Sequence, residues 1–249
     1  MKTMNQTLEK RRVPAKSIRT LAIDVGGTGL KAARLDDKGN LSGDSVRVST
    51  PYPCPPKVLV NALVKLVKPL APYDRVSVGF PGYIRGDQVV TAPHWGNEIW
   101  SGFNLAKALS EKLGKPVRLL NDADLQGLAA MKGKGLELVI TLGTGVGSAL
   151  FREGELMPHL ELAHHPVSKA KTYNQFLGRK ALEKIGKKKW NKRVERMITI
   201  LSGLFNYDTL YIGGGNSANI TCKLPSNVKL VSNENGLLGA FVLWNRKRK

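Results

Sequence analysis

Acidic residues are scarce in this chain, and so are cysteines, aromatics and long apolar runs. Asp and Glu total 19 against 39 Lys and Arg, a net charge of +20. A balance this basic implies a polyanionic partner: nucleic acid, an anionic membrane or polyphosphate. The two cysteines, Cys54 and Cys222, stand far from each other and from any metal-ligand spacing. They read as reduced thiols, which excludes a disulfide framework and fits a cytoplasmic protein. No apolar run approaches the ~20 residues of a membrane helix. The opening Met1-Lys2-Thr3-Met4-Asn5-Gln6 lacks the apolar core of a signal peptide. Aromatics are 6% of the chain, but hydrophobic residues are 42%, a globular rather than a disordered composition.

The positive charge is clustered. Residues 179–196 hold nine basic residues against two acidic ones, Arg246-Lys247-Arg248-Lys249 is wholly basic, and Lys10-Arg11-Arg12 lies in a polar leader without period. From Thr20 onward, glycine-punctuated apolar segments predict strands at 21–25, 30–35 and 45–49, a helix from Cys54-Pro-Pro to Leu70 with Val58, Ala62, Leu63 and Leu66 inward, a strand at 75–80, a helix at 105–113 and a strand at 116–120. The order then recurs. A strand pair at 138–142 and 146–151 precedes helices at about 173–185 and 188–206, strands at 209–212 and 228–231, and a last helix from Gly236. In the longer helix Val194, Met197, Ile198, Leu201 and Phe205 form an inward stripe, with Lys192, Arg193 and Arg196 outward. A hairpin followed by helix and strand, twice over, predicts two similar α/β halves with a cleft between them. The expected division is a basic arm at 1–19, a small domain at 20–120 and a large one at 121–249, whose last helix can pack back on the small domain.

Three glycine turns carry the chemistry. Asp24-Val-Gly26-Gly27-Thr28-Gly-Leu-Lys31 lets a strand deliver an acid and then aims backbone amides, a hydroxyl and a cation at an anion. Asp24 suits a hydrated Mg²⁺, which takes one or two carboxylates and keeps several waters. Gly143-Thr144-Gly145 repeats that logic in the second half, and Gly213-Gly214-Gly215 is a third turn, from strand into helix. None has Walker or G-x-G-x-x-G spacing. A lone glycine hairpin commonly binds nothing, but one in each half and a third turn favour phosphate handling. Asn121-Asp122-Ala123-Asp124 follows the last strand of the first half. Asp122 is the candidate base for a hydroxyl, and Asn121 can donate and accept, whereas helix capping is the other use of such residues. Glu161 and His164 suit sugar hydroxyls better than zinc, with a solvated loop as the alternative. His94 and Trp95 precede Trp100 in a Pro-rich loop, where hydroxyl binding, stacking and plain packing all remain open.

Taken in order, Asp24–Lys31, Gly79-Phe-Pro-Gly82, Leu120–Asp124, Leu142–Gly147 and Ile212–Gly215 resemble the ROK family of sugar kinases, and most of all its short polyphosphate glucokinase branch. The resemblance runs from about Thr20 to Gly239. It implies an actin-like (ribonuclease H-like) two-domain α/β fold closing on glucose, with MgATP or inorganic polyphosphate as donor. It makes Asp122 the catalytic base, puts Asn121, Glu161 and His164 on the sugar, and turns Gly26–Thr28 and Gly143–Gly145 towards the donor phosphates. A homodimer follows by analogy. Ala163 stands where the family has glycine and His94 where it has a sugar-binding Asn. The Cys-rich zinc motif is missing, so no structural zinc is expected.

The charge excess bears on the donor. A long polyphosphate gains from a basic track outside the site, by counterion release as for nucleic acids, and segment 179–196 with the C-terminal tail is the candidate track. The competing reading of such a run is a solvated helix face. Nucleic-acid binding is disfavoured because no recognition motif is present. A sugar-responsive regulator would need a helix-turn-helix before Leu21. A kinase of mannose or an N-acetylhexosamine and an inactive sugar sensor remain as rivals.

Overall fold

The computed structural model describes residues 17–168, 170–232 and 235–246, without the side chains of 235 and 236. The expected arm, apart from Ser17–Arg19, and Lys247-Arg248-Lys249 of the tail lie outside the described residues. Elements follow in the order β1 (Thr20–Val25), β2 (Gly29–Leu35), β3 (Val46–Ser49), α1 (Pro56–Val67), β4 (Arg75–Phe80), β5 (Ile84–Arg85), β6 (Gln88–Val89), α2 (Asn97–Trp100), α3 (Leu105–Leu113), β7 (Val117–Asn121) and α4 (Asp122–Ala130). The second half runs β8 (Leu136–Leu142), β9 (Val146–Arg152), β10 (Glu155–Leu156), β11 (Pro166–Ser168), β12 (Lys171–Thr172), α5 (Tyr173–Leu177), α6 (Arg179–Phe205), β13 (Thr209–Gly213), β14 (Val228–Leu230) and α7 (Asn235–Val242).

Two five-stranded sheets share one topology. Their orders are β3-β2-β1-β4-β7 and β10-β9-β8-β13-β14. In each, an antiparallel hairpin is followed by two parallel strands: β1 pairs β2 antiparallel and β4 parallel, and β8 pairs β9 and β13 in the same senses. Strands covered on both faces read as near-continuous apolar runs. Accordingly β1 buries every residue but Asp24, and β4 every residue but the partly buried Arg75.

Local chemistry sets the helix ends. Proline at the first position of α1 starts it where its missing N–H costs nothing. Its buried stripe is Leu59, Leu63 and Leu66, so Val58, expected inside, is exposed instead. Asn104 caps α3, and Gly114 ends it in the left-handed conformation, φ 62°. The helix expected over 173–185 breaks at Gly178, and α6 kinks at Gly186, φ 75°.

Each sheet has a core on one face. Leu59, Leu63, Trp100 and Leu109 pack on the first, with Trp95 partly buried against it; Trp190, Val194, Met197 and Leu201 pack on the second. Trp95 and Trp100 are therefore packing residues around Phe80, not stacking platforms. A third core lies between the sheets, where α4 and α7 meet Ala22 and Leu35 from one side and Val139, Phe151 and Tyr211 from the other. The helices cross closely because Gly239 has no side chain: a Cβ there would overlap the carbonyl of Leu125. Helix α7 and the turn after it are fastened to the first sheet. Ser77 donates to the Ala240 carbonyl (2.6 Å) and accepts from Trp244 Nε1 (2.8 Å). Arg118 lies over the Trp244 ring.

Candidate active site

In both sheets the parallel strands end on the same side, and their carboxyl ends open into one cleft of about 530 Å³, the usual ligand position in open α/β sheets. Strand β1 delivers Asp24, β4 leads to Pro81-Gly82, β7 ends at Asn121, and β8 and β13 run into Gly143 and Gly214. Every candidate for the base, the sugar, the phosphates or the metal lines this cleft. Gly26, Gly27, Thr28 and Lys31 come from one glycine turn, and Gly143, Thr144 and Gly145 from its counterpart. Gly214 and Gly215 come from the third turn, and Asp24, His94, Asn121, Asp122, Glu161 and His164 complete the set.

Two of the glycine turns are closed by their first amide, over spans of three and two residues. Gly26 N–H donates to the Gly29 carbonyl (3.0 Å) and Gly143 N–H to that of Gly145 (2.9 Å). These amides close their own turns, so any anion contact falls to the groups that follow, at Gly27, Thr28, Thr144 and Gly145. The third turn is tied to the second, since Asn216 donates to the Leu142 and Gly143 carbonyls. Gly214 has φ 85°, and a Cβ there would strike Leu142 backbone, so no other residue fits.

Helix α4 begins at the catalytic candidate. Its N-cap is Asn121, whose Oδ1 accepts from Ala123 N–H (2.8 Å) and Asp124 N–H (3.2 Å). Asn121 Nδ2 donates to the carbonyls of Gly82 (3.1 Å) and, weakly, Phe80 (3.5 Å). The capping alternative therefore holds for Asn121, and a hexose hydroxyl would have to take over the long bond to Phe80. Asp122, one residue on, is half-buried and accepts from Ala123 N–H (2.8 Å). Burial first, then the charges of Asp24, Asp124 and Glu161, raise its pKa from 3.8 to about 7 against the pull of that N–H.

Asp24 is half-exposed in the cleft, 4.0 Å from Lys31 Nζ. Its pKa is raised by the protein around it and lowered in part by Lys31. His94 lies against Gly27, and burial together with nearby His164 lowers its pKa, opposed by Glu161. Among the described residues no group of three or more His, Cys, Asp or Glu is arranged to hold a metal ion.

The cleft also holds residues whose place in it sequence reasoning missed. Arg47 projects from edge strand β3 over Gly29, and Arg179 starts α6. The His159 side chain is 5% exposed and lies between two carboxylates. Its Nδ1 is 3.1 Å from Asp124 Oδ2, and its Nε2 is 3.6 Å from Glu161 Oε2. The ring stacks on Tyr83 at 5.1 Å and 13°. Burial works against its charge, but the hydrogen bond to Asp124, the close approach of Glu161 and the charges of both outweigh that and carry its pKa to about 10. Lys10-Arg-Arg12 aside, the basic segments divide. Lys187, Lys188 and Lys192 line an open groove on α6, whereas Arg193 donates to the Phe176 carbonyl and lies over its ring. Arg246 is spent on Glu155 (2.9 Å) and the Gly154 carbonyl, so it is no part of a free basic tail. No helix among the described residues is long and apolar enough to cross a membrane.

Known proteins match this arrangement. The chain is 31% identical over 232 residues to polyphosphate glucokinase of Mycobacterium tuberculosis, covering 88% of this chain and 84% of the relative. An N-acetylmannosamine kinase of Escherichia coli is 36% identical over 144 residues, 55% of this chain and 49% of that one. Among solved structures, the inorganic polyphosphate/ATP-glucomannokinase of Arthrobacter sp. strain KM superposes with a TM-score of 0.81 at 31% identity, over 92% of this chain and all of that one. A ROK family glucokinase from Streptomyces griseus gives 0.73 at 19% identity, over 90% of this chain and 98% of its own, a likeness of fold alone. The two-sheet architecture is the actin-like fold of these kinases. The model of the ROK family matches residues 20–161, more than half of the sequence, and this chain belongs to the ROK family.

Proposed function

We propose that the protein transfers the terminal phosphoryl group of inorganic polyphosphate or ATP to the 6-hydroxyl of glucose. One observation carries the reading: a carboxylate with its pKa near 7, Asp122, stands at the head of a helix between two matching glycine turns. Phosphoryl transfer asks the protein mainly for positioning and charge stabilisation, plus a base to take the hydroxyl proton. Asp122 orients the 6-hydroxyl and accepts its proton as the oxygen attacks phosphorus and the donor's bridging bond breaks. Glu161 and His164 hold the sugar hydroxyls, with His94 across from them and Asn121 through its weak bond. The amides and hydroxyls of Gly27, Thr28, Thr144 and Gly145 face the donor phosphates, with Gly214, Gly215 and Lys31 beside them. Arg47 and Arg179 add a cation from each half. Mg²⁺, when bound, supplies positive charge to the phosphate oxygens. Asp24 fits it through water, because a single half-exposed carboxylate with donor oxygens is the sparse ligand set that ion accepts.

The two halves, 20–120 and 121–249 with α7 packed back on the first, close over the sugar and exclude water. Polyphosphate beyond the cleft runs along the exposed lysines of α6. A second reading, another hexose as substrate, is favoured by His94 and by the likeness to N-acetylmannosamine kinase. The test is turnover with Mg²⁺ and glucose, mannose or N-acetylmannosamine, with polyphosphate or ATP, in the cytoplasm-like salt range and above. Glucose 6-phosphate formed from polyphosphate, and lost as salt rises, supports the reading. Turnover of N-acetylmannosamine alone replaces it with the second, and no turnover of any pair refutes both. Size-exclusion chromatography of the same preparation tests the homodimer.

A further inference from the structure

Each ring nitrogen of His159 faces a carboxylate, but the two contacts differ. At 3.1 Å the Nδ1–H bond to Asp124 is made, whereas 3.6 Å from Nε2 to Glu161 is too long for one. His159 Nε2 is a buried polar atom without a hydrogen-bond partner, and so is Asp124 Oδ1. A buried N–H left unbonded costs free energy unless some state of the molecule uses it. The ring cannot turn away to water. Tyr83 stacks on one face, and Arg85 in turn lies over Tyr83 and donates to its hydroxyl (3.2 Å). Asp124 fixes the other edge from the first turn of α4, two residues beyond Asp122. The anchors come from both halves, Tyr83 after β4 and Asp124 on α4, so the direction of the Nε2–H bond is set before any ligand arrives.

Glu161, its target, is different. Its side chain is 36% exposed, no side-chain bond caps the short turn that follows it, and it lines the cleft. A carboxylate this open samples several rotamers, and each costs binding free energy if it must be ordered by the ligand. Hydrogen bonds in catalytic clefts are commonly long without substrate and tighten with it.

We propose that His159 is the positioning residue for the hexose: its Nε2–H closes on Glu161 when the sugar seats, locking that carboxylate relative to Asp122. The inference rests on the kinase reading, in which Glu161 holds sugar hydroxyls. His159 lines the cleft beside Glu161 and acts through that carboxylate, not on a reacting atom. The bond lies inside the protein and helps to order Glu161 as the sugar seats, so its loss falls on hexose affinity rather than on the chemical step.

Two amide substitutions separate the two nitrogens. The amide of Asn overlies Nδ1, so His159→Asn keeps a donor to Asp124 and removes the one to Glu161. The amide of Gln overlies Nε2, so His159→Gln does the reverse. Glucose binding is measured by titration calorimetry, and KM and kcat by turnover, with melting temperature for each variant. Expected are a glucose Kd and KM raised at least tenfold in His159→Asn with kcat within about threefold, and recovery to within about threefold of the parent in His159→Gln. The KM for the phosphoryl donor stays unchanged in both. If His159 only braces Asp124, the order inverts: Asn melts closer to the parent than Gln, and glucose affinity is the same in all three, which overturns the proposal. A parent that neither binds nor phosphorylates glucose overturns the kinase reading for that sugar and takes this one with it.

Discussion

Replacing Asp122 by Asn keeps the shape of the side chain and removes its charge, and the structure predicts that the enzyme becomes inactive and more stable. In the unfolded chain this carboxyl titrates near 3.8; in the folded one it titrates near 7, held there by burial and by Asp24, Asp124 and Glu161. The folded state thus keeps its proton to higher pH than the unfolded state. Stability is lost as pH rises from about 4 to about 7, and the full loss persists above that. At about 1.4 kcal/mol per pH unit the cost approaches roughly 4 kcal/mol, and water in the open cleft lowers it to about 2–4 kcal/mol. For a chain of this size 1 kcal/mol moves Tm by roughly 2–4 °C. Asp122→Asn should therefore melt at least about 4 °C higher than the parent at pH 8.5, by calorimetry in buffers of equal ionic strength. The gain should shrink by more than half at pH 5, where the parent's carboxyl is already neutral. Hexose turnover should fall by roughly 10²–10⁴, the usual contribution of a general base. An Asn variant that melts no higher than the parent at pH 8.5, or that keeps its turnover, refutes the reasoning.

Three further outcomes follow from the same geometry. kcat/KM for the hexose should rise with pH through an apparent pKa of about 7, because Asp122 must lose its proton to act as a base; a flat profile between pH 5.5 and 8 counts against it. Gly239→Ala pushes a methyl group into the Leu125 carbonyl, and overpacking of this kind costs about 1–3 kcal/mol or more. The expected result is a Tm lower by several degrees, read by thermal denaturation, with α4 and α7 no longer able to approach. Replacing Lys187, Lys188 and Lys192 together by Gln should weaken polyphosphate and flatten its salt dependence while leaving the KM for ATP within about twofold, since these residues line the groove on α6 and not the cleft.

Much of this was legible in the residues because glycine and strand patterning report directly on backbone geometry. The hairpin at Asp24–Lys31 and its counterpart at Gly143 stand where the glycines require. Asp122 and its neighbours follow β7 because an Asn-Asp pair after an apolar strand suits a helix start. Helix α4 itself was not legible. DADLQGLAA has no apolar stripe, because both sheets cover the helix, and a helix buried on several sides carries no amphipathic signal. Helix α1 was found with Leu63 and Leu66 inward, but Val58 was placed inside in place of Leu59, since the two are equally apolar and only packing tells them apart. Arg47 sat unremarked on a short exposed strand, and whether it reaches the cleft depends on the edge position of β3. His159 was missed for a similar reason. Its meaning rests on Asp124 and Tyr83, far away along the chain, and local spacing around Glu161 and His164 gave it no part.

The fastening of α7 bears on how the protein is made. Ser77 takes its partners from residues 163 and 167 positions later in the chain. During synthesis the five strands of the first sheet leave the ribosome long before α7 exists, so Ala22 and Leu35 present an apolar face without that helix to cover it. That half cannot complete itself vectorially, the ordinary route for a leading domain. It waits for α7, and the nascent chain carries a sticky surface until that helix emerges. A premature stop shortly before α7 would leave the cleft's sequence motifs intact and yet release a product fit mainly for chaperones and proteases.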